Sequence, residues 1–167
     1  DKPMRQHRGG SCPGSQAKSF ASGMTMADNK KSIDENQQFI PSALQQWPVQ
    51  LHLLNPMAEY MQKADLLLAA DCTAFSMGDF HKHLQGKALA IACPKLDSGT
   101  DNYVEKLSVM IDDAKINTIT VMMMEVPCCG GLLRMVKESL SKASRIVPVK
   151  VMIVGIKGEV LSEEWVG

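Results

Sequence analysis

From Trp47 to about residue 156 the chain alternates short, nearly continuous apolar runs with stretches of helical period. The runs are VQLHLL (49–54), DLLLAA (65–70), ALAIAC (88–93), TITVMMMEV (118–126) and VKVMIVGI (149–156). Runs apolar on both faces suit a parallel sheet covered on both sides, and they predict strands near 49–54, 65–70, 88–92, 118–125 and 150–155. In DNYVEKLSVMIDDA, Val104, Leu107, Ile111 and Ala114 recur at steps of three and four residues, with Glu105, Lys106, Asp112 and Asp113 elsewhere, which predicts an amphipathic helix. The segment after residue 129 repeats the pattern with Leu132, Leu133, Val136 and Leu140. Shorter helices fit around 56–63 and 79–85, where Phe80 and Leu84 stack at i, i+4. The alternation predicts an α/β fold over residues 47–167: a single Rossmann-like, flavodoxin-like three-layer domain with a mainly parallel five-stranded sheet and right-handed crossovers. Residues 1–46 break the pattern. HRGGSCPGSQAKSFASG is rich in Gly, Ser and Pro, and the polar stretch after it reads as a linker.

Composition narrows the partners. The chain has 167 residues, about one ordinary domain, with eighteen basic side chains balancing eighteen acidic ones. No net field draws it toward nucleic acid or an anionic membrane surface. Its apolar runs are far shorter than the ~20 residues that cross a bilayer, and no signal peptide is evident. Five cysteines, odd in number and widely spaced, argue against a secreted disulfide framework and for reduced thiols or metal ligands in a cytoplasmic protein.

The cysteines then become the chief candidates for chemistry. Cys72 follows DLLLAAD, Cys93 ends ALAIAC, and Cys128 and Cys129 follow TITVMMMEVP. Parallel strands end on one edge, where ligands bind, so cysteines distant in sequence should converge there. Cys12, in GGSCPGS, could fold over the same edge. A single cysteine at a strand end usually only packs, but three such strand ends favour a shared metal or cluster site. Gly130 and Gly131 should let the backbone turn tightly and bind a cofactor. The helix behind them would aim its N–H groups at the turn and favour thiolate. His81, in GDFHKHLQG, is the histidine candidate, whereas His52 reads as a satisfied core residue. Asp71 and Asp97 could support ligands or cap helices. The consecutive methionines 122–124 read as core filler rather than copper ligands.

Two other chemistries share these residues. Thiolate with imidazole also suits zinc, giving a Cys/His zinc site or hydrolase. Cys128 and Arg134 stand as C-x5-R, the spacing by which cysteine-dependent phosphatases cradle phosphate, although Val-Pro precedes the cysteine and Met135 follows the arginine.

The segments WPVQLHLLNP, ADLLLAADCTAF, DFH, GKALAIACPKLD, YVEKL and INTITVMMMEVPCCGGL, with HRGGSCPGS before and GIKGEV after them, carry a resemblance spanning nearly the whole chain. Together they resemble the C-terminal module of 4Fe-4S ferredoxin-type iron–sulfur proteins of anaerobes. In that family the module follows a ferredoxin domain with two cluster motifs. The chain has no C-x2-C-x2-C run, so the resemblance implies a fragment or a version lacking that domain. Cys12, Cys72, Cys93, Cys128, Cys129 and His81 fall in its most recognisable segments. Cys93 followed by CCGG is also similar to the CCG domain of heterodisulfide-reductase-like proteins, without its closing C-x-x-C. The resemblance implies an iron–sulfur cluster, most simply 4Fe-4S, used in electron transfer with a redox partner protein or ferredoxin domain, and leaves substrate and oligomeric state open.

Overall fold

A computed structural model describes residues 13–20 and 39–166. The chain forms β1 (Lys18–Ser19), β2 (Gln46–Trp47), β3 (Asp65–Ala70), α1 (Thr73–Ser76), α2 (Phe80–Leu84), β4 (Ala88–Ala92), α3 (Asp101–Asp112), β5 (Thr118–Met124), α4 (Gly130–Lys142), β6 (Val149–Val154) and β7 (Val160–Val166). Four of the five predicted strands form within a residue or two of their expected bounds, as do the two long amphipathic helices.

Strands β3 to β7 make one sheet in the order β4-β3-β5-β6-β7, with β3 to β6 parallel and β7 antiparallel on β6. The first four parallel strands are buried almost throughout, because helices and connections cover both faces. The amphipathic helices α3 and α4 lie side by side on one face, with Leu107, Ile111, Leu132 and Val136 turned into the core. Helices α1 and α2 carry the crossover from β3 to β4, with Phe80 and Leu84 buried.

The fifth strand is not the expected one. Residues 49–54 touch the edge of β4 through a single parallel bridge, Gln50 to Ile91, and then turn, with Leu53 and Leu54 N–H groups donating to the Gln50 carbonyl. Leu51 and Leu54 are buried three residues apart, a helical step rather than an alternation, while His52 and Leu53 face outward. Lys106 fixes this turn by donating to the carbonyls of Leu51, His52 and Leu54 at 3.0, 2.6 and 2.9 Å. The real fifth strand, β7, pairs through a hairpin at residues 155–159. Its residues are mostly exposed, so it carries no continuous apolar run.

The stretch before Trp47 also contributes to the packing. Strand β1 pairs with β2, and the fully buried Gln46 side chain bonds the backbone of Leu89 in both directions, at 2.6 and 3.0 Å. Among the described residues no helix is long and apolar enough to cross a membrane.

Candidate functional site at the carboxyl edge

The strand order puts a topological switch point between β3 and β5. The chain leaves β3 toward β4 on one side and leaves β5 toward β6 on the other, the arrangement that in open α/β sheets marks the ligand-binding edge at the carboxyl ends. All four described cysteines lie on the loops that leave this edge: Cys72 just past β3, Cys93 directly after β4, and Cys128 and Cys129 after β5. Cys12 and the rest of the early loop through residue 12 lie outside the described residues.

Each loop holds its cysteine differently. Cys72 is exposed at the start of α1, with its carbonyl accepting from the Ser76 N–H and hydroxyl. Cys93 is half-buried, and its N–H donates to Asp97 Oδ2 at 3.0 Å while its carbonyl accepts from the Asp97 N–H at 2.9 Å. Asp97 is thus a loop clamp rather than a helix cap. The same carboxylate oxygen accepts from Tyr103 Oη at 2.6 Å and Gln50 Nε2 at 3.3 Å. Tyr103 lies on the buried face of α3, where its hydroxyl needs a partner, and that is the sequence signal that could have found this clamp. Burial and the bond to Asp97 push its phenol pKa up. His52, exposed rather than in the core, packs its ring at a 49° tilt against Tyr103, 4.3 Å between centroids, and pairs with the Ser98 carbonyl.

Cys128 and Cys129 end a 3-10 turn, Pro127–Cys129, that runs directly into α4. Cys128 is exposed and Cys129 is 7% exposed. Burial raises the Cys129 thiol pKa, opposed by a hydrogen bond at the Met124 backbone; Cys128, within hydrogen-bonding reach, and Cys72 add to the rise. The expectation of a thiolate is corrected for Cys129: loss of water around the sulfur outweighs the favourable helix end. The influence of Cys128 and Cys72 on Cys129 places these three thiols in one neighbourhood.

The two glycines also act otherwise than expected. Gly130 has helical dihedrals, φ −58° and ψ −20°, and neither it nor Gly131 is among the positive-φ residues, so no glycine-dependent turn occurs there. Gly131 is needed for close approach: a Cβ on it would sit 2.6 Å from Pro94 Cβ. The missing side chain lets α4 lie against the loop that begins at Cys93, drawing the β4 and β5 loops together. Gly130 has open space around its would-be Cβ.

The remaining candidates lie elsewhere. His81, on α2, is exposed and accepts the Ala43 N–H on Nδ1 at 3.0 Å. Arg134 is exposed in the second turn of α4. Because residues 130–134 are helical, the open loop of N–H groups that a phosphatase-like cradle requires is not formed there. Asp71 Oδ1 is buried without a hydrogen-bond partner among the described residues, and burial followed by repulsion from Asp97 raises its carboxyl pKa.

A family model described as a Rossmann-like domain matches residues 58–166. The chain belongs to the Rossmann-like domain family. An uncharacterized protein of Archaeoglobus fulgidus is 30% identical to this Rossmann-like domain over 118 residues, covering 70% of the chain and 82% of the archaeal protein. No solved structure matches the chain.

The donor chemistry of the edge suits a soft metal or an iron–sulfur cluster, since the strand ends offer thiols. Their positions do not close around one: among the described residues no three Cys, His, Asp or Glu side chains converge closely enough to hold a metal ion.

Proposed function

We propose that this Rossmann-like domain is a redox protein whose working groups are the thiols of the switch-point edge, with an iron–sulfur cluster as their occupant. One observation carries the reading: three adjacent strands, β4, β3 and β5, deliver Cys93, Cys72 and the Cys128–Cys129 pair to the same edge. The resemblance to the C-terminal module of ferredoxin-type proteins supports the same occupant. Cys72, Cys93, Cys128 and Cys129 are the candidate ligands, with Cys12 from the early loop as a further thiolate. Since the described thiols do not close on a metal, binding requires side-chain movement at the exposed Cys72 and Cys128. A bound cluster would supply one-electron chemistry, with its potential set by burial and nearby N–H donors. A reducing cytoplasm and a redox partner protein or ferredoxin domain would suit such a site.

A second reading is a metal-free dithiol that cycles with a disulfide, favoured by the reach of Cys129 to Cys128 and the nearness of Cys72. Anaerobic purification with iron, sulfide and zinc analysis and a visible spectrum separates the readings. Broad brown absorption with bound iron and sulfide supports the cluster, and Cys93→Ala should then lose the iron while keeping the fold. Colourless, metal-free protein that loses two titratable thiols on mild oxidation supports the dithiol. Colourless protein with stoichiometric zinc rejects both.

A further inference from the structure

The sheet face opposite α3 and α4 has a second feature, away from the cysteines. Because β6 turns into β7 by a hairpin instead of a crossover helix, no long helix among the described residues covers this face over β5, β6 and β7. A cavity of about 160 Å³ lies there. Its floor consists of neighbouring cross-strand rows: Leu67, Thr120 and Lys150 in one, and Met122, Met152 and Glu163 in the next. Lys82 and His83 of α2 and Lys87 just after it form the opposite wall.

We propose that this cavity binds a small organic monoanion, a carboxylate with a short unbranched apolar chain. Three lysines line the cavity against one carboxylate, Glu163, which pairs with Lys150. Lys150 also lies 5.1 Å from the Trp165 ring centroid, and Lys87 donates to the His83 carbonyl at 3.0 Å. Asp79 stands outside the lining, 3.7 Å from His83 Nε2. The exposed Lys82 ammonium has no hydrogen-bond or ion-pair partner among the described residues. Lys150, His83 and Lys87 also lower the Glu163 pKa, as expected of charges facing one space.

The floor supplies the second half of the recognition. Met122 and Met152 are buried apolar surface, and Met side chains adapt to an alkyl chain. Thr120, 6% exposed, lines the cavity with a hydroxyl that has no partner among the described residues. A carboxylate could accept from that hydroxyl and from Lys82 or Lys87. The volume matches roughly five waters at ~30 Å³ each, which limits the ligand to a few carbons. None of the lining residues is a cysteine or belongs to the Cys72, Cys93 or Cys128–Cys129 turns, so this site is separate from the thiol edge.

The test uses the full chain labelled with ¹³C at the methionine methyls, titrated with pentanoate and, at matched ionic strength, with pentylammonium. Saturable shifts of the Met122 and Met152 methyls with pentanoate alone are expected. Lys82→Ala and Lys87→Ala should weaken the Kd at least threefold each, and Glu163→Gln should tighten it. Met122→Leu and Met152→Leu assign the two resonances. Equal response to pentylammonium, shifts spread over methionines remote from the cavity, or a Kd indifferent to all three charge variants would overturn the proposal.

Discussion

Replacing Gly131 by Ala tests whether the contact between α4 and the Cys93 loop holds the edge together. The added methyl would lie 2.6 Å from Pro94 Cβ and 3.2 Å from Cγ, well inside van der Waals contact. Pro94 is a rigid ring on the loop closed by the hydrogen bonds between Cys93 and Asp97, so it cannot swing aside as a flexible chain end would. Overpacking of this kind costs about 1–3 kcal/mol. Ala also gains roughly 0.5–1 kcal/mol over Gly within a helix, which opposes the clash. Gly130→Ala provides the internal control, because it adds the same methyl in the same helical turn with nothing within 4 Å. The propensity gain nearly cancels between the two variants, leaving a stability gap of about 1–3 kcal/mol with Gly131→Ala the weaker. Urea unfolding with matched m values reads that gap directly. In a thermal scan it corresponds to about 2–4 °C per kcal/mol for a chain of this size. If the cluster reading is right, Gly131→Ala should also lower iron content, because relief of the clash displaces the Cys93 loop. Coincident midpoints, or a Gly131→Ala protein more stable than Gly130→Ala, would refute the close-approach argument.

Lys106→Met should destabilise by about 1–3 kcal/mol in urea unfolding, since it leaves the carbonyls of Leu51, His52 and Leu54 without their charged donor; an unchanged midpoint would show that water replaces it at no cost. The Lys150 bond lowers the Glu163 pKa below its usual 4.5, so the pair's stabilisation is present above that value and disappears as pH falls through the folded pKa. Glu163→Gln should therefore lose up to ~1 kcal/mol at pH 7 and converge with the parent once pH has fallen below the lowered folded pKa; a loss that persists in acid would point to packing instead of charge.

Some of this protein was legible in one dimension. The strands β3, β4, β5 and β6 announced themselves because burial on both faces demands continuous apolar runs, and α3 and α4 because burial on one face demands the 3.6-residue period. The parallel-sheet rule is enough to put four cysteines on one edge. Other features depend on neighbours far along the chain. Residues 49–54 are apolar like a strand, yet only the edge of β4 and the ammonium of Lys106 decide that they turn. Strand β7 owes its form to hydrogen bonds with β6, so its exposed residues gave no apolar signal. Gly131 looked like a turn residue because composition shows a glycine but not the Pro94 pressed against it. Which strands are adjacent, how far each thiol stands from the next, and which lysines surround Thr120 are decided by long-range packing, because local sequence preference sets an element's type while only the assembled sheet sets what its side chains meet.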